Sequence, residues 1–452
     1  MTMKSQPLQV RAQAVISGLG ILAFVAATPA PSPEPLSSPV VGDVQESYRL
    51  LSSSFYRKVD TQVLLDGART ALIDEAHKHG VKVNVPELHP ADDADDTVTA
   101  LSDEITDVAN AAHGTTTDYA YVAIDGMAKS LEDRYTAFLT PDEYKAFNNA
   151  LDPERISGIG VLVQPDQMTG FIKAYYVVPG TPADRAGIRA GDLIEEVDGT
   201  STKNMTQDAV SKLLRGKSGT IVHVAVARGA GGDTQDLALT RSEIQPPTVV
   251  FKMLPNDIGY VNVLAFGRAT PGEFDVALDR LKDANAKAIV LDLRNDGGGY
   301  VDSALDISSR FIANKAIVNV EQRGVPEETI QADNEARVAV PVTVLVNQYT
   351  ASASEITAGA LQDDGIGVLV GTRTFGKGVM QTLTPLPDGA AIKITTAHYL
   401  TPRHRDINMR GIDPDVNVVE NRDARFGELD KDAQLRAALD LLQKKIADAL
   451  HQ

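Results

Sequence analysis

Two runs, AKAIVLDL (286–293) and VTVLVN (342–347), are apolar almost without interruption, and they restrict the fold more than anything else in the chain. A strand with one face in water alternates apolar and polar residues. A strand that does not alternate must be covered on both faces, the usual state of a parallel sheet sandwiched between helices. YVNVLAF (260–266) leads into TPGEFDVALDRLKDANA, which predicts a helix with Thr270 as N-cap, Pro271 at the first helical position and Glu273 completing a capping box. Phe274, Ala277, Leu278 and Leu281 then share one face. Residues 247–420 read as an α/β core in their own right. Residues 421–452 follow as a C-terminal helix, with Leu435, Ala438, Leu439, Leu442, Ile446, Ala449 and Leu450 at helical spacing.

Upstream the pattern differs. Residues 41–153 form a helical region in which Asp60 caps VLLDGARTALIDEA and Gly80 stops it. An acidic loop follows, where His77, His79 and His89 lie near Asp92, Asp93, Asp95 and Asp96. The spacing matches neither a zinc-binding helix nor a calcium loop, so it reads as solvated, with no metal. Residues 154–246 carry Gly-rich turns and short alternating strands, with Val210, Leu213 and Leu214 on one face of a short helix. ISGIGVLV followed by PGTPADRAGIRAGD resembles a PDZ domain. In that family a Gly-apolar-Gly-apolar loop offers backbone amides to a peptide's terminal carboxylate, and the peptide adds to the sheet edge as a strand. The matching residues are Gly158, Ile159, Gly160 and Val161.

The chain's 61 acidic residues outnumber 43 basic ones for a net charge of −18, a balance that argues against nucleic acid and anionic lipid as partners. There are no cysteines, which excludes disulfides, thiolate nucleophiles and Cys-ligated metals. Residues 1–40 have the layout of an export signal or membrane anchor with a Pro-rich linker: Lys4 and Arg11, an apolar run from Ala14 to Ala27, then TPAPSPEPLSSP. The run is short for a spanning helix, and cleavage is left open. The expected location is the periplasm or cell envelope of a bacterium.

GTRTFGKG (371–378) has the glycine and lysine spacing of a phosphate-binding loop but ends on Gly378 instead of a hydroxyl residue, and VMQTLTPLPDG after it is extended. Lys377 therefore needs another explanation. QYTASASEITAGALQDDG places hydroxyls at a strand-to-helix junction, where the commoner role is a cap. Three features favour catalysis. DLRNDGGGYV (292–301) leaves glycine amides free to face a ligand. Lys377 sits in an apolar segment able to desolvate an ammonium, and a buried lysine sheds its proton readily enough to act as base toward a serine. Gln381, four residues on, would share a strand face with it and could orient the amine.

TASASEITAGALQDD, VGTRTFGKGVMQ, LPDGAAIKITTAHYLTP and GIDPDV, with DGMAKSLEDRYTAFLTPDEY upstream, resemble the carboxyl-terminal processing peptidases, a family of Ser-Lys proteases. The likeness covers about residues 45–420, with the acidic stretch near 80–118 as an insertion. It implies a multidomain α/β protein with an N-terminal helical region, a β-rich PDZ domain with short helices, and a protease core resembling the ClpP/crotonase-like fold. It implies Ser352 as nucleophile, Lys377 as general base, Gln381 as its orienting partner, and the amides of Ala353 and Gly298 as oxyanion hole, with no cofactor. Where the family often has Asn-Pro-Gly-Gly, this chain has Asp296-Gly297-Gly298-Gly299, which leaves Gly298 and Gly299 both open. Thr350 and Ser354 are rival nucleophiles, and His398 and His404 rival bases. The implied partners are protein or peptide substrates with free C-termini, with an adaptor or homo-oligomer left open. A noncatalytic PDZ scaffold and a nucleotide-binding enzyme are the alternatives.

Overall fold

A computed structural model describes residues 39–166, 168–229, 231–332, 336–420, 429 and 431–450, so the export-signal reading falls outside the described residues. Among those residues no helix is long and apolar enough to cross a membrane.

Four helices open the fold: Pro39–Ser54, Thr61–Lys78, Ala94–Ala111 and Thr116–Ser130. Asp60 caps the second, its carboxylate accepting from Gln62 N–H at 3.1 Å, and Gly80 ends it at φ +78°. The second and fourth helices cross in backbone contact, since a Cβ on Gly67 or Gly126 would come within 2.6 Å of the other's carbonyl oxygen. The acidic stretch is more than loop. Residues 94–111 form an amphipathic helix that buries Val98, Leu101, Ile105 and Val108.

These helices are continuous with the α/β core. Ala137–Leu139 pairs antiparallel with Ala391–Leu400, and Leu386, Ile392 and Ile394 from that hairpin share the helices' apolar cluster. Asp43 of the first helix is 1% exposed near Asp388, which also accepts from the Tyr121 hydroxyl. Burial first, and then Asp388, push the Asp43 carboxyl from an ordinary 3.8 up to about 7. The folded chain thus holds a proton the unfolded chain has shed, so this contribution is full below about pH 4 and is lost as pH rises through 7. Asp43→Asn should flatten that slope, narrowing the difference between melting temperatures measured at pH 5 and pH 8.

Residues 161–240 hold a separate sheet around Ile172, Ala174, Ile194, Val197 and Val222, and a small two-stranded sheet pairs 156–158 with 242–244. The short helix Gln207–Leu214 packs Val210 and Leu214 against it. Tyr176 meets Phe251 of the core edge-on at 6.0 Å between ring centroids.

The core sheet runs in the order 249–254, 258–263, 288–292, 342–346, 367–371, 416–417, parallel except for its first hairpin. Ala288–Asp292 and Val342–Val346 are buried at every residue, because helices cover both faces. Leu435, Ala438 and Leu442 of helix Ala433–Leu450 cover one of them. One local expectation fails. Helix Thr270–Asp283 is capped by Ala269, not Thr270, and no capping box forms. The Thr270 hydroxyl donates to Ala265 O, and Glu273 accepts from Thr248 N–H, Thr248 Oγ1 and Val249 N–H. Tertiary donors outcompete the helix's own amides, fastening the segment that links the two domains.

Candidate active site

Ser352 follows the strand Val342–Val346 and precedes the helix Ala353–Asp363. Its backbone is at φ 58°, ψ −119°, a conformation a non-glycine residue adopts only when its surroundings impose it. Those surroundings are explicit. The Thr350 hydroxyl donates to Leu293 O at 2.8 Å and accepts from Asn347 N–H at 3.0 Å. Ala351 N–H donates to Asp296 O at 3.0 Å, as does the Ser354 hydroxyl at 3.2 Å. Both rival hydroxyls are thus buried and committed to backbone carbonyls. Ser352 is only partly buried and its hydroxyl makes no capping hydrogen bond. The half of the Ser352–Glu355 capping arrangement that forms is Ser352 N–H to the Glu355 carboxylate at 3.0 Å.

Glu355, the acid in the first turn of that helix, does more than face its dipole. One carboxylate oxygen accepts from the Thr374 hydroxyl (2.5 Å) and Gly376 N–H (2.8 Å), the other from Ser352 N–H and Lys377 N–H (2.8 Å). On the other side the Tyr399 hydroxyl, buried at the ring's end, lies 3.1 Å from Ser352 O and 2.5 Å from Lys377 O. The backbones of Ser352 and Lys377 are therefore tied together twice, through their amides by an acid and through their carbonyls by a phenol. Burial raises the Glu355 carboxyl above its ordinary value, and the four donors oppose that rise.

The GTRTFGKG segment is not a phosphate loop. It leaves the strand Gly367–Gly371, crosses an irregular stretch and enters another strand, Val379–Pro385. Gly376, at φ +87°, and Gly378 lie against the backbone of residues 407–411, so a Cβ on either would collide with it. The Lys377 ammonium lies 5.2 Å from the centre of the Tyr135 ring. Burial, and then the like charge of Lys393, lower its pKa from 10.5 to about 8, against the pull of Glu355 and Asp133. Lys393 is itself lowered by burial. Tyr135, Asp133 and Lys393 were missed from sequence; they sit in LEDRYTAFLT and AAIKITTAHY, blocks whose resemblance was noted without a role for these residues.

The glycine loop comes to the same place. A Cβ on Gly298 (φ +97°) would fall 2.9 Å from both Ser352 Cβ and Ala353 N, so only glycine lets the loop sit against that turn. Ala353 N–H, at the first helical position, points out of the helix with no partner among the described residues. Gly298 N–H donates to Asp296 Oδ1 at 2.8 Å, whereas Gly299 N–H has no such partner.

Gln381 is placed differently from expectation. Lys377 lies before the strand Val379–Pro385, the register shift at Gln381 places an extra residue, Thr396, in the partner strand, and the Gln381 side chain donates to Val379 O at 3.3 Å, with Lys377 not among its partners. His398 lies between Glu321 (3.2 Å) and Asp406 (3.1 Å), and His404 beside Glu327 (2.9 Å), so the rings of both are engaged by carboxylates. In the PDZ-like unit, Gly158 ends one strand and Val161 begins the next, while Ile159 O and Gly160 O accept from Ala183 and Val178 N–H. Gly160 is at φ +86°, and a Cβ there would strike Thr181. A groove of about 150 Å³ runs from this loop along Gln207, Ser211 and Leu214.

Comparison with known proteins agrees with this layout. The family model for peptidase family S41 matches residues 257–418, and that for the PDZ domain matches residues 174–228. The carboxyl-terminal-processing protease of Picosynechococcus sp. is 36% identical over 339 residues, covering 74% of this chain and 81% of that one. The carboxy-terminal processing protease CtpA of Bacillus subtilis is 36% identical over 311 residues, 69% of this chain and 66% of that one. A solved photosystem II D1 C-terminal processing protease is 28% identical, with a TM-score of 0.45, covering 85% of this chain and 94% of that one. With four-fifths of a relative's length matched at more than a third identity, this chain belongs to the carboxyl-terminal-processing proteases of peptidase family S41.

Proposed function

We propose that the chain is an exported serine endopeptidase that cuts proteins near or from their C-terminal end, with Ser352 as nucleophile and Lys377 as general base. The observation that carries the reading is the double tie between these two residues. A serine held at a strained turn and a half-buried lysine share Glu355 and Tyr399 as common anchors. A binding scaffold would need no such arrangement. Neutral Lys377 takes the Ser352 proton as the oxygen attacks the scissile carbonyl, then returns it to the leaving amine, and water releases the acyl group by the reverse steps. The oxyanion is received by Ala353 N–H and the Gly298–Gly299 backbone, a contribution worth about two to three orders of magnitude in rate. Gln381 acts only if its side chain turns from Val379 toward the amine.

The PDZ loop at Gly158–Val161 receives the substrate's terminal carboxylate, and the groove beside it receives the last side chains. The basic and apolar layout of residues 1–30 supports export, and its apolar run could also anchor the chain.

The test is cleavage of an unstructured protein, supplied with a free or an amidated C-terminus and read by mass spectrometry. Wild type should cut the free form faster, and Ser352→Ala should leave both intact. Equal cutting by Ser352→Ala would remove the serine from the mechanism. Peptide binding without cleavage by wild type would favour a scaffold.

A further inference from the structure

Beside the nucleophile turn lies an acid the mechanism does not use. Asp296 is 1% exposed, and its Oδ2 has no hydrogen-bond partner among the described residues. Its Oδ1 accepts from Gly298 N–H, and its carbonyl holds Ala351 N–H and the Ser354 hydroxyl. The side chain thus occupies the amide of the glycine that abuts both Ser352 and Ala353.

We propose that Asp296 is a positioning residue of the oxyanion site that works in its protonated form: ionised, it keeps the Gly298 amide and sets a negative charge beside the forming oxyanion; protonated, it yields that amide to the substrate. This rests on the serine reading above. Two physical arguments support it. An ionised acceptor holds an N–H more strongly than a neutral one does, so only the neutral acid competes weakly with an oxyanion. A like charge in a desolvated site opposes the transition state, where negative charge peaks.

No neighbouring charge neutralises Asp296. On its own strand and loop, Arg294 is spent on Asp292, Asp432 and Gln434. From the nucleophile helix, Glu355 is occupied by its four donors. From the Gly376–Gly378 segment, Lys377 faces Tyr135. The next helix brings Asp302, a further acid whose carboxyl burial raises. Burial accordingly pushes the Asp296 carboxyl up to about 8, against the Gly298 amide.

The experiment is a profile of kcat and KM from pH 6 to 10 on an unstructured substrate, for wild type, Asp296→Asn, Asp296→Ser and Ser352→Ala, with circular dichroism to establish folding. In wild type kcat should fall above pH 8, to about one-thirtieth of its limiting value at pH 9.5, with KM little changed. Asp296→Asn should lose the falling limb and keep the rising one, which belongs to Lys377. Asp296→Ser, also uncharged, gives the same reading if the amide variant does not fold. A falling limb that persists in a folded variant overturns the inference. So does wild type with no falling limb between pH 7.5 and 9.5, a result that needs no variant. The two readings fail separately: activity in Ser352→Ala removes the serine itself, whereas an inactive Ser352→Ala with an unchanged limb in the Asp296 variants removes only the role of Asp296.

Discussion

Lys377→Met should lower kcat/KM by about four orders of magnitude or more, and should raise the melting temperature at neutral pH. The first effect follows from removing the only group proposed to take the Ser352 proton, since a serine hydroxyl without a base is a weak nucleophile. The second follows from the environment that makes the lysine a base. Burial and Lys393 lower its pKa to about 8 from an ordinary 10.5. Below pH 8 the folded chain carries an ammonium it has partly desolvated, whereas the unfolded chain carries the same charge in water. Between about 8 and 10.5 the folded lysine is neutral while the unfolded one is still charged, so the penalty fades across this window as pH rises. Methionine, of similar length and uncharged, never incurs it. The gain in melting temperature should be largest near pH 7 and small above pH 10. A variant that is inactive but less stable at pH 7 would mean that the ring of Tyr135 and the carboxylates repay the lysine's desolvation in full. The same shift predicts that wild-type kcat/KM rises as pH rises toward 8, because only the neutral amine can accept a proton.

How much of this was legible in the sequence depends on whether the physics is local. Two runs without alternation gave the parallel core, because a strand's burial is written in its own residues. Asp60 and Gly80 gave the ends of a helix for the same reason. The site residues came from resemblance, and the structure brings Ser352, Ala353, Gly298 and the backbone of Lys377 into one cluster. What failed depended on partners distant in sequence. Thr270 and Glu273 have the spacing of a capping box, yet Thr248 and Val249 offer Glu273 better donors. Gln381 has the spacing of a shared strand face, yet its strand begins at Val379, after Lys377, and its amide meets Val379 O. The strand Ala137–Leu139 is too short to signal itself, and it joins the N-terminal helices to the protease sheet. Glu355 has the position of a helix-dipole acid, and nothing within its own helix shows that Thr374, Gly376 and Lys377 return to it.

That last omission yields the second large effect. Glu355→Gln should lower kcat by about a hundredfold and cost about 3–5 kcal/mol of stability, despite changing almost nothing in shape. Each carboxylate oxygen accepts two hydrogen bonds, one pair from Thr374 Oγ1 and Gly376 N–H, the other from Ser352 N–H and Lys377 N–H. A glutamine has one acceptor oxygen and one NH2 group. Turned toward Ser352 and Lys377, the NH2 faces two amide donors; turned the other way it faces the Gly376 amide, while the Thr374 hydroxyl can rotate and accept, and in a fully buried position no water is at hand to relieve the orphaned donors. If the NH2 faces Ser352 and Lys377, the amides that locate nucleophile and base are pushed apart, while Tyr399 still holds their carbonyls. If it faces Thr374 and Gly376, the loss falls on the loop and the chemistry suffers less. Thr374→Val separates the two cases by removing the one group of the second pair that can accept from the NH2: combined with Glu355→Gln it should deepen the deficit beyond the sum of the single variants if the NH2 sits on that side, and add independently if it sits on the catalytic side. Urea unfolding of the two single variants and the double variant, with kcat measured on each, distinguishes them. A Glu355→Gln enzyme of unaltered kcat and stability would show that the strained turn at Ser352 is maintained without the carboxylate.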